Sequence, residues 1–235
     1  MLSPDLEVDL EPSASHHILK VLRMSEGRSV TLFNGDGYEY CAKVVSAEKK
    51  TATLRVLNQQ HLANCSPLTS ELAIGLSKGD RIDWVIQKAT ELGVSVISPL
   101  FTERCEVRLT NERINKKLVS WEKIIISACE QCRRNILPHL RRPSNLSNYL
   151  ASCDADMKLL LHHRSNTSLG DMVAPKSVAL LVGPEGGLSD EEICQAECAG
   201  FSPIVFGKRV MRTETAPIAA LSIMQYLWGD LGTDK

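Results

Sequence analysis

The spacing of apolar and polar positions changes character once along the chain. Up to about residue 68 the apolar residues come in short alternating stretches. Leu6 to Leu10, Arg28 to Phe33, Tyr38 to Ser46 and Thr51 to Leu57 each predict a strand. Asn34-Gly35-Asp36-Gly37 separates two of them, and its Asn-Gly pair predicts a hairpin. Ser15 to Arg23 predicts a short helix with Ile18, Val21 and Leu22 as its apolar positions. The run Asn58 to Pro67 is polar and breaks every pattern, which puts a domain boundary there and predicts a small β-rich domain over 1–68 and a second domain over 69–235.

After the boundary, helical and strand periods alternate. Glu71 to Ser77 predicts a strand. Ile82, Val85, Ile86, Ala89 and Leu92 then fall on one face of a helix that Asp80 can cap and Gly93 can end. Val94 to Leu100 predicts the next strand, followed by a long helix from Asn111 to Asn135, a strand near Leu137 to Leu140, a short helix from Ser144 and a strand over Met157 to His162. Ser177 to Val182 has the length and composition of a buried strand. Ser189 and Glu192 have the spacing of a capping box at a helix start, and Gly200 closes that helix. One more strand at Pro203 to Phe206 precedes a final apolar helix opened by Pro217 and running to Trp228. Strands separated by helices predict an α/β domain with a mostly parallel sheet.

Composition narrows the function classes. At 43% apolar and 23% charged residues the 235-residue chain has the makeup of a globular protein with a real core. It contains no apolar run of membrane-span length, and Met1 to Glu7 lacks the features of a signal peptide, so the cytoplasm is expected. A net charge of −1 excludes a uniformly basic nucleic-acid binder and leaves local basic patches open. The cysteines are spread out without a secretion signal, which predicts free thiols. Cys129-Glu130-Gln131-Cys132 has CxxC spacing, but it falls late in a long helix, so no metal or redox role is expected.

Two loops carry the candidate chemistry. Gly183-Pro184-Glu185-Gly186-Gly187 joins a buried strand to a helix start, where glycines allow close backbone approach and the helix offers unpaired N–H groups. Glu185 would repel a polyphosphate, and no Gly-Lys-Ser/Thr ending follows, so the loop suits a ligand with hydroxyls or positive charge; an ordinary tight turn is the other reading. Phe206 to Ala216 packs Lys208, Arg209, Arg212, Glu214 and two threonines into the connection after another strand, where open α/β sheets place their ligands. Arg133 and Arg134 end the long helix and Arg141-Arg142 follow, a cluster that suits either the helix dipole or a phosphate.

These loops, GPEGGLSDEE (183–192) and FGKRVMRTETAPIAAL (206–221), resemble the signature of the SPOUT-class methyltransferases, and within them the bacterial family that methylates N3 of a uridine in 16S ribosomal RNA. HHILKVLR (16–23), LFNGDGYEY (32–40), KGDRIDWVIQKATELGV (78–94), SPLFTERCEVRL (98–109) and ISACEQCRRN (126–135) extend the resemblance over most of the chain. Arg133 stands where many members carry glycine, and Met211 where they carry a branched aliphatic residue.

The resemblance implies an N-terminal PUA-like barrel that binds RNA, a C-terminal domain with a trefoil knot, and a homodimer whose RNA site is shared between subunits. It implies S-adenosylmethionine as cofactor, held by three segments, Leu160 to Arg164, Leu181 to Gly187 and Phe206 to Ala216. Within them the expected contacts are Leu160, Leu161, His162, Leu181, Val182, Gly183, Glu185, Gly186, Phe206, Gly207, Val210, Met211, Arg212, Thr215 and Ala216, with Glu185 on the ribose hydroxyls. Arg212 is expected to stabilise charge on the uracil and Glu214 to take its proton. Arg23, Lys78, Glu130, Gln131, Arg134 and Arg209 are expected to contact 16S ribosomal RNA, within the small ribosomal subunit; no DNA, membrane or metal is expected. The rival readings are a methyltransferase of this class on another RNA position and a non-catalytic RNA-binding assembly factor.

Overall fold

The computed structural model describes residues 2–48, 50–62, 65–162 and 169–232. The chain forms two compact units, Met1–Asn64 and Cys65–Lys235.

In the first unit the strands are β1 (Glu7–Asp9), β2 (Ser29–Leu32), β3 (Tyr38–Ala47) and β4 (Ala52–His61), in an antiparallel sheet of order β1-β4-β3-β2. Among the described residues the edge strands β1 and β2 do not pair with each other. The hairpin forms where Asn-Gly predicts it, with Gly35 and Gly37 at positive φ and Asp36 accepting from the Tyr38 N–H at 3.0 Å. Strand β4 runs four residues past Leu57, through the polar Asn58 to His61, because Tyr38 to Cys41 of β3 supply backbone partners for it; polarity marks an exposed strand end here rather than a linker.

The predicted helix begins earlier, as α1 (Pro12–His16), and turns π-helical over His17–Val21. The wider turn moves the apolar face. Ile18 stays in the core with Ala42, Val44, Ala52 and Leu54, whereas Val21 and Leu22 point to solvent.

The second unit has β5 (Thr69–Gly75), α2 (Arg81–Glu91), β6 (Val96–Phe101), α3 (Asn111–Cys132), β7 (His139–Leu140), β8 (Ser144–Asn145), α4 (Leu146–Ser152), β9 (Met157–Leu161), β10 (Ser177–Val182), α5 (Asp190–Cys198), β11 (Ser202–Ile204) and α6 (Thr215–Trp228). Its seven-stranded sheet runs β11-β9-β10-β5-β6-β7, with β8 also on β6, and the strand pairings in it are parallel. Ser144 and Asn145 extend the sheet before the helix they were expected to begin.

Side chains alternate between the two faces of the sheet. Ala73, Leu160, Ala179 and Leu181 pack with Leu146, Tyr149 and Leu150 of α4 and Ala196 of α5. Helix α6 packs against α2 and β10, and α2 packs against α3. The capping box at Ser189 is present: its Oγ accepts from Glu192 N at 3.3 Å, and Glu192 Oε2 accepts from Ser189 N at 3.0 Å. Asp80, in contrast, makes no side-chain cap on α2.

Helix α3 ends at Arg133 in the left-handed region, φ 63°. A glycine at that position would have no Cβ to strain. Replacing Arg133 with glycine is expected to raise stability by about 1 kcal/mol, visible as a melting temperature roughly 2–4 °C higher. An unchanged or lower melting temperature would mean that contacts of the arginine side chain outweigh the backbone strain.

Candidate active site

Parallel pairing places the C-terminal ends of β5, β6, β9, β10 and β11 along one edge, and the loops after them converge there. Strand β5 ends in Gly75 because Pro184 lies against it: a Cβ on Gly75 would sit 2.6 Å from Pro184 Cδ and N. The chain then turns tightly, with Gly187 N donating to Pro184 O at 2.8 Å and Gly187 at φ 69°. Gly183 is closed in by its own loop, since a Cβ there would be 2.9 Å from Gly187 C and Leu188 N.

The loop after β6 braces the glycine loop from outside. Arg104 Nη1 donates to Gly186 O at 3.0 Å, and Glu103 N donates to Glu192 Oε1 at 2.8 Å.

These segments and the loop after β11 enclose a cavity of about 480 Å3. Of the expected cofactor contacts, Leu160, Leu161 and His162 line it from the end of β9, Val182, Gly183, Glu185 and Gly186 from the glycine loop, and Phe206, Gly207, Val210, Met211 and Ala216 from the third segment. Residues 163 and 164 of the first segment lie outside the described residues. Three of the expected residues lie outside this lining. Leu181 is fully buried under α4 and α5, on the sheet face opposite Val182, and does not line the cavity. Arg212 and Thr215 are not in its lining either: the backbone O of Arg212 accepts from Thr215 N at 2.9 Å in the turn that starts α6, and the Arg212 side chain is 84% exposed.

The rim is charged. Arg81 Nη1 is paired with Glu185 Oε1, which also accepts from Lys78 N at 3.2 Å. Glu214 is about a quarter exposed, with Arg81 Nε 3.9 Å from its Oε2 and Arg212 Nη1 4.0 Å from its Oε1. Glu185 also lines the cavity. Lys78 pairs with Glu106, whose carboxylate holds the ammonium above its ordinary range. Arg104, Lys208 and Arg209 line the cavity as well. Sequence reasoning left Arg81 and Arg104 without a role. For Arg81 a signal was present, because a cation at the first residue of a helix meets the positive end of the dipole.

Within the second unit the predicted RNA contacts do not gather in one place. Lys78 and Arg209 lie at the cavity edge of the sheet, and Arg23 is exposed in the first unit. Glu130 and Gln131 are exposed at the end of α3, which runs back to the opposite edge, where β6 and β7 begin. Arg134 is not a surface residue. It is 8% exposed, and its Nη1 donates to Thr90 O at 2.8 Å and Val94 O at 3.0 Å, tying the end of α2 to the approach to β6. Burial pushes the Cys129 thiol up to about 11, and the Cys132 Sγ leans on Cys129 O, the surroundings of inert thiols.

A cavity of this size, apolar on its walls, glycine-lined on one side and charged at its mouth, is the kind of site in which an α/β domain holds a small ligand. The chain matches the family model described as an RNA methyltransferase domain over residues 64–225 and that described as an RNA methyltransferase PUA domain over residues 10–57. It is 34% identical to the ribosomal RNA small subunit methyltransferase E of Buchnera aphidicola subsp. Schizaphis graminum, over 95% of this chain and 92% of that protein. Among solved structures it is similar to the ribosomal RNA small subunit methyltransferase E of Neisseria gonorrhoeae bound to S-adenosylmethionine, with 39% identity and a TM-score of 0.91 over 98% of this chain and 96% of that one. A Legionella pneumophila protein in complex with the same cofactor is 44% identical, with a TM-score of 0.95 over 98% and 96% of the two chains. The chain belongs to the RNA methyltransferase family, with an N-terminal PUA-like domain and a parallel-sheet C-terminal domain.

Proposed function

We propose that this protein uses S-adenosylmethionine to methylate N3 of a uridine in 16S ribosomal RNA, acting in the cytoplasm on the small ribosomal subunit. The observation that carries the reading is the meeting of three loops around one cavity with the Arg212–Glu214 pair at its rim. The cavity suits the cofactor: apolar walls at Leu160, Val182, Phe206 and Met211 match a purine, and Gly183 lets backbone groups reach it. Glu185 lines the cavity, with Arg81 and Lys78 on its Oε1, and in this reading its carboxylate also accepts from the ribose hydroxyls.

When bound, the cofactor supplies an electrophilic methyl group on a sulfonium. The protein's share is to orient the uracil and to manage one proton. In this reading Glu214 accepts the N3 proton as N3 attacks, and the exposed Arg212 guanidinium takes up charge on the uracil oxygens. Cations at the rim, Lys78, Lys208 and Arg209 among them, hold the phosphates.

The same reading includes a knotted C-terminal domain and a homodimer. Ile223, Tyr226 and Leu227 of α6, on one helical face, together with Leu231, leave an apolar surface in solvent that a second copy would cover. A shared RNA site would also bring Glu130 and Gln131, far from the cavity of their own chain, to that of the partner.

The test is tritiated-methyl transfer to small subunits and to free ribosomal RNA from a strain lacking the modification, with mass spectrometry of the product. Glu214→Gln is expected to slow single-turnover methylation by about 100-fold, and Arg212→Ala by a similar factor. A Glu214→Gln rate within a few-fold of wild type at every pH would remove the base from this scheme.

A further inference from the structure

Arg81 is the first residue of α2, where the helix dipole disfavours a cation. What holds it there are two carboxylates from separate loops. Its Nη1 pairs with Glu185 in the loop after β10, and its Nε lies 3.9 Å from Glu214 in the loop before α6. The first carboxylate sits in the wall of the donor cavity, and the second is the proposed base.

We propose that Arg81 is a positioning residue for methyl transfer, one guanidinium keeping the donor-side and acceptor-side carboxylates in register. The inference rests on the function proposed above and goes beyond it. In-line transfer is sensitive to alignment, and a displacement of about 1 Å costs on the order of 100-fold in rate. A planar fork with nitrogens on separate edges is suited to bridging two carboxylates. Stability is a poor reason for the arrangement, because Arg81 and Glu185 are both more than one-third exposed and surface pairs contribute little.

The experiment uses the full-length protein with Arg81→Met, which keeps the stem and removes the charge, and Arg81→Lys, which restores a charge. Three quantities are read: S-adenosylmethionine affinity by calorimetry, single-turnover methylation at saturating cofactor, and melting temperature. Arg81→Met is expected to weaken the cofactor about tenfold and to slow the saturated single turnover by a further 30- to 100-fold or so. Its melting temperature should stay within about 2 °C of wild type. Arg81→Lys should recover the greater part of both losses. In a Glu214→Gln background, Arg81→Met should add little further loss of rate, since the two residues act together.

A saturated rate unchanged in Arg81→Met overturns the proposal. So does a fully additive loss in the double variant, or a rate loss that follows a fall in melting temperature. Wild-type protein that binds the cofactor and methylates no ribosomal RNA overturns the functional reading itself; normal methylation by both wild type and Arg81→Met overturns only the role of Arg81.

Discussion

Gly183→Ala is expected to weaken S-adenosylmethionine binding on the order of 100-fold while the rest of the protein stays folded. The added Cβ would lie 2.9 Å from Gly187 C and Leu188 N and 3.1 Å from Gly187 Cα. All three are backbone atoms of a loop fixed on both sides. Upstream, Pro184 packs on Gly75 of the central strand; downstream, Ser189 and Glu192 lock the start of α5 in a capping box. Because no flexible side-chain end can move aside, the loop itself must open. Overpacking of this kind costs about 1–3 kcal/mol, and a loop that opens also loses the backbone positions that line the cavity. At 1.4 kcal/mol per factor of ten, the affinity should fall on the order of 100-fold. Calorimetry reads the affinity and circular dichroism the fold. Binding within a few-fold of wild type would mean that the loop tolerates the methyl group and that Gly183 has no special part in the cavity. Gly186→Ala is the milder comparison, because its Cβ would meet the Arg104 side chain, Cβ at 3.1 Å and Cδ at 3.5 Å.

Arg134→Met should lower stability by about 3 kcal/mol, and with it the melting temperature by roughly 6–12 °C, while leaving the RNA affinity of the folded protein unchanged. The guanidinium is buried and donates to two backbone carbonyls. Thr90 O would keep a second donor, Gly93 N at 3.1 Å. Val94 O would lose the charged donor that now satisfies it, in a place water does not reach. Thermal melting and RNA titration below the melting range separate stability from binding. Weaker RNA binding at an unchanged melting temperature would return Arg134 to the surface role that its sequence neighbourhood suggests.

Arg133 and Arg134 show why part of the site was illegible in the sequence. They are identical neighbours at a helix end. One is exposed and in a left-handed conformation; the other is buried and bonded to a different loop. Composition and spacing treat them alike, because both suit a helix C-terminus and both suit a phosphate. The direction in which the chain leaves α3 separates them. Similarly, Leu181 and Val182 are consecutive apolar residues of one predicted strand, and only the pleat decides that the second lines the cavity while the first fills the core beneath α4 and α5.

Local chemistry was legible where one stretch of chain contains both the cause and the effect. Ser177 to Val182 is a strand with the predicted bounds, the Ser189 box caps its helix, and Asn34 to Gly37 turns its hairpin. The alternation of helix and strand was enough for a parallel sheet, and parallel pairing brings the loops that follow the strands to one edge. The glycine loop and the Arg212–Glu214 loop could thus be found by reading the chain alone. The tertiary structure decided how they are joined. Glu185 and Glu214 are linked through Arg81, a residue far from both in sequence, and such long-range pairing of charges depends on which strand ends lie side by side rather than on any periodicity along the chain.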